Sequence, residues 1–235
     1  MTLFTTILVL HIAAGGLALL VVGVPLLSRK GSRLHITFGR AYCYAMAVVA
    51  ATGVPLAAYG LAQEDPTRRA NALFLFFVAL LASESAWSGV RALRSLRQRE
   101  RTRRPLDVVP PAMLLAGAVA LLALGLYRGA VLYLTFGALG LLLATGRIAF
   151  WRKPVHGRAD AIVMHIGGMG VSTITTFTAF VITNGRYLFH LRAFNLALWL
   201  VPTLVGAAAI GVAQRAWRAR LGGGERNAST DAASP

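Results

Sequence analysis

The chain has 235 residues, 57% of them hydrophobic and only 14% charged, with a mean hydropathy of +0.64. Soluble domains carry about a quarter charged residues, so this composition excludes an ordinary soluble globule and points to a membrane protein. A formal net charge of +16 would suggest nucleic-acid binding in a soluble chain, but the basic residues lie in short segments between apolar runs, which excludes nucleic acid as the partner and marks the lipid bilayer instead.

A helix that crosses a bilayer core needs about 20 apolar residues. Stretches 3–27, 41–62, 71–93, 108–127, 130–150, 160–183 and 195–217 meet that need, so the sequence predicts an all-α bundle of seven transmembrane helices in one domain, 1–221. The first stretch opens on MTLFTT, without a positive leader and with too long an apolar run for a signal peptide, and is expected to stay as a span. It carries His11 in HIAAGG, with Gly15 one turn on along the same face. Next, SRKGSRLHITFGR (28–40) predicts a tight cytoplasmic turn at the lipid headgroups, with His35 at the interface. The second span holds Cys43, the single cysteine, so no internal disulfide forms. Glu84 lies in SESAWSGVR within the third span, with Ser88 and Arg91 following on one helical face. The 91–104 segment, RALRSLRQRERTRR, is a topology signal and a candidate contact for anionic lipid headgroups.

His156 lies between the fifth and sixth spans. The sixth opens with MHIGGMG, where His165 heads a stripe of Gly168, Met169, Ser172, Thr175 and Thr176 at helical spacing. Such a stripe either packs helices closely or clears space for a flat cofactor. Pro25, Pro55 and Pro202 fall within spans and either open backbone carbonyls or kink the helices. The tail 222–235, GGGERNASTDAASP, is small and polar and is expected to be a disordered cytoplasmic segment.

Counting Lys and Arg sets the orientation. With the N-terminus outside, 19 lie on the inner side, including Arg147, and only Arg68, Arg69, Arg128, Arg186 and Arg192 lie outside. The C-terminus is then cytoplasmic.

An ionisable residue within a span is costly and is a functional candidate by default. His11, Glu84 and His165 qualify. At a rise of 1.5 Å per residue, His11 lies about 12 Å below the outer edge, Glu84 about 20 Å and His165 about 22 Å. Glu84 and His165 thus share a level, which suggests a buried proton-responsive pair; the alternative is that Glu84 snorkels towards the inner interface near Arg91. Neutral imidazoles ligate haem iron or transition metals, so His165, His35 and His156 are candidate metal ligands on the inner side. His165 and His35, with Glu84 beside them and His11 at a separate outer site, form the candidate cofactor set. His190, in an outer loop, approaches His11 only if that loop folds inward.

His11-Ile12 with Gly15, Lys30-Gly31, His35, Gly39-Arg40 and Tyr42 resemble the opening of the bacterial membrane proteins grouped as "domain of unknown function 2306". His165, Thr178-Ala179-Phe180, Asn184, Pro202-Thr203 and Gly206 resemble later elements of the same group. Ile36 stands where a basic residue commonly follows the loop histidine there. The resemblance implies a multi-span protein of the bacterial inner (plasma) membrane and no established activity. Three functions therefore stand side by side: a haem b or metal site for membrane electron transfer, a proton-linked small-solute transporter using Glu84 and His165, and a structural or assembly protein.

Overall fold

The structure is a computed structural model that describes residues 2–97, 104–153, 156–188 and 196–231. Seven α-helices account for nearly all of it: α1 (Leu3–Leu27), α2 (Arg33–Leu61), α3 (Pro66–Arg97), α4 (Val109–Arg128), α5 (Val131–Arg152), α6 (Arg158–Leu188) and α7 (Leu196–Asp231). A short 3-10 turn, Pro105–Val108, precedes α4, and there is no strand among the described residues. Each helix contains a stretch long and apolar enough to cross a membrane.

The helices run further than apolar length alone predicts. α2 starts at Arg33, so only residues 28–32 form the turn expected over 28–40. The reason is local. Ser32 accepts the His35 amide at 3.2 Å and caps the helix, while Gly31 supplies the positive φ of 80° that reverses the chain. The end of α1 is closed by Lys30, whose Nζ donates to the Pro25 and Leu26 carbonyls, both at 2.8 Å. α7 carries helical backbone across residue 222 and on to Asp231, through most of the segment expected to be a disordered tail. Residues 98–103, the centre of the 91–104 lipid-contact segment, lie outside the described residues, as does His190.

α3 is the centre of the bundle. Three hairpins, α1–α2, α4–α5 and α6–α7, lean on it through α2, α4 and α6. Its sequence explains this role, because Ala82, Ser83, Ser85, Ala86, Ser88, Gly89 and Ala92 leave a thin helix that neighbours can approach from several sides. The closest approach is to α6: a Cβ on Gly168 would lie 2.5 Å from the Ser85 carbonyl and 2.8 Å from the Gly89 nitrogen. Gly167 and Gly170 meet Gln214 and Ile210 of α7 in the same way. The glycines of MHIGGMG thus clear space for neighbouring helices on two sides. An aromatic cluster of Phe74, Phe77, Tyr133, Phe136 and Trp199 fills the opposite end of the core from His165.

Candidate functional site: a seam between two parallel helices

α2 and α6 hardly approach one another at the backbone, yet their side chains meet along a line. His35 faces His165, with ring centroids 6.3 Å apart and planes inclined at 68°. Further along, the Tyr42 hydroxyl is hydrogen-bonded to Ser172 at 2.8 Å and to Thr176 at 3.3 Å. Beyond that, Thr176 donates to the Met46 sulfur at 3.4 Å. The pairs 35/165, 42/172 and 46/176 share one offset of 130 residues, so the two helices run parallel and in constant register. The same register sets Gly39 opposite Met169, and a Cβ on Gly39 would meet nothing within 4 Å.

Both facing histidines are held from behind. His35 Nδ1 lies 3.0 Å from the Pro25 carbonyl and His165 Nδ1 lies 3.1 Å from the Gly89 carbonyl. A carbonyl only accepts, so in the neutral ring Nδ1 carries the proton and Nε2 keeps its lone pair. This is the arrangement of a metal-ligating histidine, whose second nitrogen donates to a backbone carbonyl and fixes the tautomer. Two nitrogens about 2 Å from one shared ion, on opposite sides of it, put their ring centres roughly 6 Å apart. The 6.3 Å ring spacing matches that of two imidazoles sharing one ion. A porphyrin fits less well, because α3 closes one side of the seam through Gly89 and Gly168.

The other candidates lie elsewhere. His11 Nδ1 is 2.9 Å from the Thr52 hydroxyl, which itself donates to the Val48 carbonyl at 2.7 Å, so His11 ties α1 to α2 away from the seam. His156 is not gathered with His35 and His165. It stacks on Phe150 at 3.9 Å and meets Trp151 edge-on at 5.6 Å, with both ring nitrogens buried and without a partner. The inner-side trio of His35, His156 and His165 is thus reduced to a pair, and no group of three or more His, Cys, Asp or Glu suited to a metal occurs among the described residues.

Glu84 does not pair with His165 either. One carboxylate oxygen forms an ion pair with Arg147 of α5, and the other accepts the Ser88 hydroxyl at 2.6 Å. Arg147 also donates to Ser85 at 2.8 Å. Glu84 and Arg147 are only 3% and 4% exposed, so this is a buried charge pair within the bundle. Nor does Glu84 turn to Arg91, which instead grips Asp107 through two bonds of 2.9 and 2.7 Å and lies 5.5 Å over the Trp151 ring. His165 lies beside Gly89, five residues along α3 from Glu84, and Glu84 faces α5, where a guanidinium outcompetes a neutral imidazole for a carboxylate. Arg147 and Tyr42 are the residues that sequence reasoning missed. Arg147 lies five positions inside the end of α5, a depth that separates it from an interfacial arginine.

No family model, no curated protein and no solved structure matches this chain.

Proposed function

We propose that this is a metal-binding protein of the electron-transfer class, with a transition-metal ion held between His35 and His165 in the bacterial plasma membrane. The observation that carries the reading is the facing pair itself: two imidazoles 6.3 Å apart, each anchored at Nδ1 by a backbone carbonyl, which leaves the lone pair of the neutral ring on Nε2. Lys and Arg asymmetry, 19 against 5, orients the N-terminus outside and the C-terminus inside, so the pair lies at the cytoplasmic end of α2 and α6. His35, Gly39, Tyr42 and His165, which carry part of the resemblance to the domain of unknown function 2306 group, all lie on the seam, and this supports reading those short motifs as one site.

Metal analysis and the visible spectrum of protein purified from metal- and haem-replete cells test the proposal. Expected is about one equivalent of a transition metal, lost in both His35→Ala and His165→Ala. A preparation with the pyridine-haemochrome spectrum of haem b would make the iron of a porphyrin the occupant instead. Metal retained in both variants, or absent from a folded wild-type protein, would remove the reading.

A further inference from the structure

The donors around the histidine pair also say which ion belongs there. Met169 follows His165 by one turn on the same helical face. Its Cγ lies 3.3 Å from where a Cβ on Gly89 would sit, against the same glycine whose carbonyl holds His165 Nδ1. The side chain packs against the cluster of Ala18, Tyr42, Ala45, Met46 and Ala82, which places it in the wedge between α2, α3 and α6, one helical turn from the imidazole pair. Across the seam Gly39 leaves open space at this level, so the long, unbranched side chain has room to swing its sulfur towards the rings.

The charge balance is equally specific. Among the described residues the inner-side carboxylates are engaged elsewhere: Glu84 by Arg147, Asp107 by Arg91, and Asp160 beside Lys153 at 3.8 Å. A cation is already close, because Lys30 Nζ and His35 Nδ1 share the Pro25 carbonyl. Two neutral imidazoles and a thioether, partly shielded from water and beside a lysine, disfavour a hard divalent ion that needs carboxylate oxygens. They suit a soft monovalent one, and thioether sulfur selects copper(I). From this geometry we infer that the seam is a copper(I) site with His35, His165 and Met169 as its three ligands. The inference rests on the histidine-pair reading and adds the metal and the third ligand.

The test uses the full-length protein in lipid nanodiscs, titrated anaerobically with copper(I) against a competing chromogenic chelator. Expected is one tight copper(I) per chain, with a sulfur scatterer about 2.3 Å from copper in X-ray absorption. Met169→Leu conserves volume and should keep the fold, yet weaken copper(I) binding by roughly tenfold or more. His35→Ala and His165→Ala should abolish it. If Met169→Leu binds copper(I) as the wild type does, or the sulfur scatterer is missing, the thioether assignment fails while the histidine site stands. If zinc(II) outcompetes copper(I), the choice of metal fails. If the histidine variants bind copper(I) unchanged, the underlying pair fails as well.

Discussion

Arg147 and Glu84 show what a single pair of residues does inside the bundle. An isolated carboxylate in hydrocarbon takes up a proton, and an isolated guanidinium distorts the bilayer or draws in water. Together, with Ser88 donating to the carboxylate and Ser85 accepting from the guanidinium, both charges keep partners without solvent. Removing one partner of such a pair leaves an uncompensated buried charge and costs about 3–5 kcal/mol, whereas replacing both by apolar residues of similar volume costs far less. Glu84→Leu and Arg147→Met should therefore each destabilise the protein strongly, and the double variant should recover much of the loss. Unfolding in mild detergent, run as a double-mutant cycle, measures this. Additive losses would show that the two charges do not depend on one another.

At the scale of elements, the connection between α5 and α6 carries a second buried imidazole. His156 is 6% exposed, stacked on Phe150 within 2° of parallel, and has no hydrogen-bond partner for either nitrogen. Burial holds its pKa below the ordinary histidine value; Asp160 is the strongest opposing influence, Lys153 and Arg91 push the same way as burial, and Asp107 opposes it least. The fold thus favours the neutral ring. Its contribution to stability is complete above the unfolded-state pKa of about 6.5 and is lost as pH falls from there through the folded-state value. The hydrogen-exchange protection factor of the Lys153 amide, which donates to the Phe150 carbonyl, should be high at pH 7.5 and fall as the pH drops below about 6.5. His156→Phe, which keeps the aromatic stack, should remove that dependence. A variant with the same pH profile as the wild type would assign the change to another group. The histidine was legible in the sequence as a titratable residue on the inner side, but its neighbours were not. The stack depends on where the chain turns after Arg152, and no periodicity records that.

The same limit governs the seam. The stripe of His165, Met169, Ser172 and Thr176 was readable from helical spacing alone, and so was the cost of placing His165 in a span. What faces it was not. α2 and α6 lie 130 residues apart in register, and their parallel alignment follows only from the way both lean on α3. His35 was read as a headgroup residue because apolar length sets a span's start at 41, whereas the Ser32 cap starts the helix eight residues earlier. Buried charge pairs also hide in plain counting: Arg147 was one of 19 inner-side basic residues until its depth in α5 set it beside Glu84.

For the whole molecule, the arrangement of three hairpins around α3 determines which ends of the helices lie together. With seven spans, odd and even helices run in opposite directions, so His35, the start of α6 and the Arg91–Asp107 pair all lie at one end, where the basic residues also concentrate. Gln63, Arg68 and Arg128 lie at the other end, which carries few basic residues. In the proposed orientation, which follows the positive-inside rule, the histidine end is the cytoplasmic one. Orientation matters for the metal proposal, because the cytosol is the reducing compartment that keeps copper in its monovalent state. It can be measured directly. In a Cys43→Ser background, single cysteines at Gln63 and Arg128 should react with a membrane-impermeant maleimide in intact spheroplasts. A cysteine at Lys153 should react only after the membrane is opened. The inverse pattern would reverse the bundle and place the His35–His165 pair at the outer surface.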